Sequence, residues 1–159
     1  MAMNRRTVEL ILDRGADINV QGGHHGNALQ AACAEGNDKI AQMLLERGVD
    51  IDAQSGHYGY RNALQTACVN GHDKIVQMLL EQGADINTQG GYYGNALQAA
   101  CTRGHNTIVQ ILLERGADVN AQGGEYGNAL QAACVNGHDK IAQILLERGA
   151  DVNAQGGGY

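Results

Sequence analysis

A repeat of about 33 residues is the feature that most constrains how this chain can fold. The string Asn-Ala-Leu-Gln begins at four places, and the string Gly-Ala-Asp or Gly-Val-Asp begins at five: Asn27, Asn62, Asn95 and Asn128, and Gly15, Gly48, Gly83, Gly116 and Gly149. A unit of this size holds too few apolar residues to bury a core alone, so neighbouring units must stack and share one. The repeat therefore predicts a solenoid.

The first part of each unit is predicted to be a short helix. Asn27 and Gln30 have the spacing of a capping box, in which each side chain bonds the backbone N–H of the other residue. Gly36 stands where a left-handed residue commonly ends a helix. Between them lies a narrow apolar stripe at helical spacing, formed by Leu29, Ala32 and Cys33.

The second part of each unit is predicted to be another helix followed by a loop. It opens at Asp38, whose charge suits the positive end of a helix, and its apolar stripe is Ile40, Ala41, Leu44 and Leu45. The turn-forming residues after Gly48 have no helical period and predict a hairpin loop. We therefore expect an all-α solenoid of stacked helix-turn-helix units with hairpin loops. It forms one array over 1–159, with a half unit at 1–14, full units at 15–47, 48–82, 83–115 and 116–148, and a partial unit at 149–159.

The repeated residues resemble the ankyrin repeat. Asn-Ala-Leu-Gln-Ala-Ala-Cys leads to Gly-His, Leu-Leu-Glu and Gly-Ala-Asp-Val-Asn-Ala-Gln, with Asn, Ala and Gln replacing the Thr, Pro and His of the family's Thr-Pro-Leu-His string. This variant, in which Gln-Gly-Gly-x-Tyr-Gly directly precedes the helix, is similar to the ankyrin arrays attached to fungal NACHT-type signalling ATPases. The resemblance implies a concave surface of first helices and loops that binds a protein or peptide. It also implies that loops are tied together by hydrogen bonds from His72, His105 and His138.

The loop tips are the primary candidates for partner binding. All six tyrosines lie in the loops, so we expect a core without aromatic residues. Tyr offers a large amphipathic contact area at low entropy cost. The first tip position varies between units, which suggests that a partner sets it, with simple solvent exposure as the alternative: His24, His57, Tyr92 and Glu125. The second tip position is nearly always Tyr and is interpreted as a ladder bracing neighbouring loops.

Two further sets of residues are partner-binding candidates. Tyr60 and Arg61 are a two-residue insertion that predicts a bulged tip near the middle of the array. The last residue of the first helix varies between units, and the resemblance implies that this position contacts ligands: Glu35, Asn70, Arg103 and Asn136. Sequence drift on a solvated face is the alternative explanation for that variation.

No catalytic, metal or cofactor site is predicted. Each of the four cysteines is expected to fill a small core position, because equivalent helices about 8–10 Å apart are too distant for a disulfide or a shared zinc site. Partial matches to calcium and phosphate loops each lack a required residue. Seventeen acidic residues against eleven basic ones leave a net charge of −6, which disfavours nucleic acid as a partner.

The apolar segments predict a soluble, intracellular and cytoplasmic protein, because none is long enough for a signal sequence or a membrane span. At the N-terminal end, Thr7 falls where other units have Ile, which predicts a partly polar face. At the C-terminal end, the interior pattern continues with no further first helix to cover it: Ile141, Ile144, Leu145 and Leu146.

The main functional hypothesis is a non-catalytic protein–protein interaction module that belongs to a larger sensor or scaffold protein. The alternative is a self-stacking array that forms head-to-tail assemblies through the open C-terminal face.

Overall fold

The computed structural model describes residues 3–55 and 62–156. Within these ranges the chain forms nine α-helices and no β-strand, and two isolated bridges, Gly22–Gly26 and Gly123–Gly127, lie in the loops. The prediction of an all-α repeat solenoid is confirmed. The helices are α1 (Arg5–Asp13), α2 (Ala28–Glu35), α3 (Asp38–Glu46), α4 (Ala63–Asn70), α5 (Asp73–Glu81), α6 (Ala96–Arg103), α7 (Asn106–Glu114), α8 (Ala129–Val135) and α9 (Asp139–Glu147).

The helices form two rows. The first helices of the units, called the inner helices, are α2, α4, α6 and α8, and each packs on the next one along the array. The second helices, called the outer helices, are α1, α3, α5, α7 and α9, and they follow one another in the same way. Each inner helix also packs against the outer helix that follows it in sequence, so neighbouring units share a continuous core.

The inner helices begin as the sequence predicts. In each one the side chain of the preceding Asn accepts a hydrogen bond from the backbone N–H of the Gln three residues later. The helix α2 ends at Gly36, whose φ of 70° is left-handed, and α4 and α6 end in the same way. The reciprocal half of the capping box forms between Asn27 and Gln30, where the Asn27 N–H donates to Gln30 Oε1 over 3.0 Å.

The expectation of a reciprocal cap is wrong for α6 and α8. In α6 the Gln98 side chain turns toward the following unit, where Nε2 donates to the carbonyls of Gly123 at 2.9 Å and Gly127 at 3.1 Å. Its Oε1 atom has no hydrogen-bond partner. The equivalent glutamines also donate to the next loop: Gln30 to Ala53, Gln65 to Thr88 and Gln131 to Ala154. These bonds, called the glutamine ties, join each inner helix to the loop of the next unit.

A second set of bonds joins successive loops. Asn19 Oδ1 accepts from the backbone N–H of Asp50 over 2.8 Å, and Asn120 Oδ1 accepts from that of Asp151 over 2.8 Å. Two equivalent hydrogen bonds lie between these two. The Asp85 N–H donates to Asp52 Oδ1, and the Asp118 N–H donates to Asn87 Oδ1. This row of side chains, called the loop ladder, links five successive loops through four equivalent hydrogen bonds.

The core is thin and aliphatic, with one exception. The outer helices α3, α5, α7 and α9 place a fully buried Leu at the same position: Leu44, Leu79, Leu112 and Leu145. Tyr93 is also part of the core, with 9% of its surface exposed. The expectation of a core without aromatic residues is therefore wrong.

The cysteines divide into two kinds. Cys33, Cys68 and Cys101 are buried, as expected, and burial raises the pKa of each thiol above its ordinary value. Cys134 is exposed, so the expectation of a core position fails there. It lies on α8, and no later inner helix packs over it in the described part of the chain.

The C-terminal end agrees with the sequence expectation only in part. Ile141 and Leu145 are fully buried, because α9 packs against α8, and Ile144 is half-buried. Leu146 is exposed as expected, and Val135 and Val152 are exposed as well. The N-terminal end is open as well, although Thr7 makes it partly polar. There Leu10 and Ile11 of α1 are 58% and 51% exposed.

Candidate partner-binding surface

The structure places most of the predicted partner-binding residues at the surface. Tyr92 is 47% exposed. Six others are also exposed: His24, Glu35, Asn70, Arg103, Glu125 and Asn136. The remaining three, His57, Tyr60 and Arg61, lie outside the described residues.

One group of these residues comes together between the third and fourth full units. The Tyr92 and Tyr93 rings meet edge to face, with centroids 5.1 Å apart and planes at 81°. Arg103, the last residue of α6, donates from Nη2 to the Tyr93 hydroxyl over 3.0 Å. Its guanidinium carbon lies 5.9 Å from the centre of the same ring, within cation–π range. The buried Tyr93 thus holds two exposed side chains in fixed positions.

The next loop completes this group. The Glu125 backbone N–H donates to the Tyr92 carbonyl over 2.9 Å. A side-chain hydrogen bond to Glu125 raises the pKa of the Tyr92 hydroxyl, and contact with Tyr126 adds to the shift. We call Tyr92, Tyr93, Arg103, Glu125 and Tyr126 the tip cluster. The neighbouring unit therefore constrains Tyr92 and Glu125, which the sequence interpretation assigned to a partner.

Three other candidates at the ends of inner helices bond within the chain. Glu35 accepts from the Met3 backbone N–H over 3.0 Å. Asn70 and Asn136 each donate to a carbonyl one turn earlier in their own helix, over 2.8 Å. The structure therefore brings Arg103, but none of these three, into the tip cluster.

The Tyr93–Arg103 contact is the part of the site that sequence reasoning missed. Tyr93 belongs to the second tip position, which was interpreted as a ladder between loops, whereas its hydroxyl bonds the end of its own unit's inner helix. A signal was present in the sequence. Arg occurs at that helix end only in the unit whose tip reads Tyr-Tyr.

The histidines that follow the inner helices tie units together as the resemblance implied. His72, His105 and His138 each place Nε2 3.1–3.3 Å from a carbonyl at the end of the preceding inner helix. In the described ranges no three His, Cys, Asp or Glu side chains are grouped closely enough to hold a metal ion. No helix in the same ranges has both the length and the apolar character needed to cross a membrane.

Paired helices that are tied loop to loop define a helical repeat protein. A family model described as "Ankyrin repeats (3 copies)" matches residues 1–90 and 91–156. The chain belongs to the ankyrin-repeat family, as the sequence resemblance predicted. No curated protein matches its sequence. Ankyrin repeats are generally protein–protein interaction modules, and the family is typically non-catalytic.

Proposed function

We propose that this chain is a non-catalytic module that binds a protein or peptide through its loop tips and the ends of its inner helices. The tip cluster is the observation that carries this proposal. It presents Tyr and Arg, two residue types that dominate binding energy at protein interfaces.

Preorganisation is the physical reason to favour the tip cluster over the other exposed candidates. A side chain that is already held loses less conformational entropy when a partner binds. Arg103 is held by the Tyr93 hydroxyl and ring, and the Tyr92 ring packs on the Tyr93 edge while its backbone carbonyl accepts from the Glu125 N–H. Four other exposed residues are proposed as secondary contacts with the partner: Glu35, Asn70, Asn136 and His24. His57, Tyr60 and Arg61 remain predicted contacts from the neighbouring tip.

The rest of the functional proposal follows from the sequence. The chain is proposed to act without a cofactor and without binding nucleic acid, given its net charge of −6. A cytoplasmic location and a place within a larger sensor or scaffold protein are proposed from the resemblance to arrays of NACHT-type proteins. The unit boundaries given above also remain predictions.

Affinity purification from the cells that express the protein tests the main proposal. The wild type is compared with a double variant, Tyr92→Ala with Arg103→Ala. Proteins that depend on the tip cluster should be recovered at least tenfold less with this variant. A matched control carries Lys74→Ala and Gln77→Ala, two exposed outer-helix residues that line the groove between α3 and α5. It should recover the same proteins as the wild type.

Thermal unfolding separates binding from stability. The double variant should lose about 1–2 kcal/mol, because it removes the Arg103 bond to the Tyr93 hydroxyl and the half-exposed ring of Tyr92. Equal recovery by wild type and double variant contradicts binding at the tip cluster. A large fall in the melting temperature would make the cluster a structural brace instead.

Self-stacking is a second candidate, favoured by the apolar side chains exposed at both ends of the array. Val135, Leu146 and Val152 face one end, and Leu10 and Ile11 face the other. Sedimentation velocity over a hundredfold range of protein concentration tests it. Self-stacking requires larger species at high concentration and their loss on Val135→Asp. A strict monomer throughout excludes it.

A further inference from the structure

The tip cluster contains one positive and one negative side chain that do not pair with each other. Arg103 ends α6 and Glu125 lies in the next loop, and both side chains are exposed. The four ion pairs among the described residues all lie on the outer helices or at their ends. Both charges of the tip cluster are therefore available to a partner.

Arg103 is held by neutral groups and keeps its full positive charge. Its Nη2 atom donates to the Tyr93 hydroxyl over 3.0 Å, and its guanidinium carbon lies 5.9 Å from the centre of the Tyr93 ring. A guanidinium carries several N–H donors in a planar fork that matches a carboxylate. Tyr93 thus orients Arg103 without neutralising it.

Comparison between the units shows that this charge is specific to one place in the array. The last position of the inner-helix segment holds a different kind of residue in different units: Glu35, Asn70, Arg103 and Asn136. The other three bond backbone groups of this chain, and Arg103 is the only cation in the row. The third and fourth full units, which flank the tip cluster, are described throughout, so its exposure does not come from either end of the array.

Glu125 supplies the opposite charge beside the Tyr92 ring. Its backbone N–H donates to the Tyr92 carbonyl over 2.9 Å, which holds the two residues together. The Tyr92 and Tyr93 rings meet at 5.1 Å, and Arg103 lies against Tyr93. The tip cluster therefore presents a positive group, an aromatic pair and a negative group in that order.

We propose that the tip cluster recognises a partner segment in which an acidic and a basic residue flank an apolar one. The acidic carboxylate binds the Arg103 guanidinium, the apolar side chain packs on the half-exposed Tyr92 ring, and the basic side chain lies against Glu125. A reversed segment brings like charges together, so this pattern selects the partner and its orientation. The inference rests on the proposed function and names the chemistry of its partner.

A carboxylate suits Arg103 better than a phosphate does. The chain has a net charge of −6, and Glu125 belongs to the same cluster. A phosphate carries about two negative charges at neutral pH, so these groups repel it more strongly than they repel a carboxylate.

Selection from a library of random dodecapeptides displayed on phage tests the inference, with the full chain as the target. Enriched peptides are synthesised, and their affinities for wild type and variants are measured by isothermal titration calorimetry. A peptide is assigned to the tip cluster when Tyr92→Ala weakens its binding at least about fivefold. Such peptides should contain an Asp or Glu and a Lys or Arg, separated by at least one apolar residue.

Neutral variants assign each charge of the peptide to one residue of the chain. Arg103→Gln should weaken binding at least about fivefold. Changing the peptide's acidic residue to Gln should weaken binding to the wild type equally, with little further effect on Arg103→Gln. Glu125→Gln and the peptide's basic residue should behave in the same way. Arg148→Gln and Glu147→Gln, at the end of α9, are matched controls that should leave the affinity unchanged, and circular dichroism checks that each variant is folded.

Three results overturn the inference. Peptides that depend on Tyr92 but lack either charge, or that keep their affinity for Arg103→Gln, contradict charge recognition and leave the proposed function standing. Tighter binding when phosphoserine replaces the acidic residue makes a phosphate the ligand. A selection that yields no peptide dependent on Tyr92 contradicts the proposed function, and the inference fails with it.

Discussion

Replacing Gln98 with Glu should make the stability of the array strongly dependent on pH. The Gln98 side chain is buried, and its Nε2 donor lies 2.9 Å from the Gly123 carbonyl and 3.1 Å from the Gly127 carbonyl. In Gln98→Glu an oxygen takes the place of this donor. An ionised carboxylate would face two carbonyl oxygens without a donor, whereas a protonated carboxyl could still donate one hydrogen bond.

The size of the effect follows from linkage between protonation and folding. Burial and the facing carbonyls raise the pKa of the introduced carboxyl in the folded state, whereas in the unfolded state it keeps its ordinary value of about 4.3. The variant therefore loses stability relative to wild type as the pH rises above about 4.3. The loss is about 1.4 kcal/mol per pH unit until the folded-state pKa is reached, and at most about 3.7 kcal/mol at pH 7.

Urea unfolding of wild type and variant at several pH values between 4 and 8 measures this difference. Gln131→Glu is the matched control, because Gln131 is half-buried and its Nε2 lies 3.5 Å from one carbonyl, that of Ala154. Its pH dependence should be much smaller. The reasoning is refuted if Gln98→Glu loses no more stability between pH 5 and pH 7 than Gln131→Glu does.

Three further predictions test the close contacts and the accessibility of the array. In urea unfolding, Gly124→Ala should lower the free energy of unfolding by about 1–3 kcal/mol more than Gly23→Ala does. Both glycines have φ near +65°, but only at Gly124 would an added Cβ meet backbone atoms, those of Tyr93 at 2.6 Å. Equal losses would contradict this contact. Tyr93→Phe should destabilise by about 0.5–1.5 kcal/mol by removing the bond to Arg103, and the difference should be clearly smaller in an Arg103→Ala background. Ellman's reagent should modify one thiol per native chain, Cys134, and four after unfolding; prompt reaction of several native thiols would contradict the burial.

The fold was predictable because several independent sequence patterns predict the same helices. The apolar spacing, the Asn caps and the left-handed Gly36 all mark the same helix ends, and the repeat enforces that agreement in each unit. Features that depend on one unit touching the next were harder to anticipate. A capping box between Asn and Gln is a local pattern, whereas the glutamine ties are contacts between units. Gln30 makes both bonds, and Gln98 makes only the tie.

The candidate site was predictable as a surface but not as an arrangement. Exposure of Tyr92, Arg103 and Glu125 follows from their places at loop tips and helix ends. The inward turn of Tyr93 does not, because Tyr126, which has the same position in the repeat, is only half-buried. In the loop of the next unit, Gly124 allows the backbone to approach the Tyr93 carbonyl closely. Sequence periodicity carries no information on such approaches.

The loop ladder has a consequence for how arrays of this kind change length. Each joint uses one side-chain oxygen and one backbone N–H, and Asp52 serves as well as Asn19, Asn87 or Asn120. A unit copied into the middle of the gene would find a matching acceptor on one side and a matching donor on the other. Duplication or deletion of a whole module thus leaves no unmatched joint, so the number of modules can vary while the chemistry of assembly stays the same.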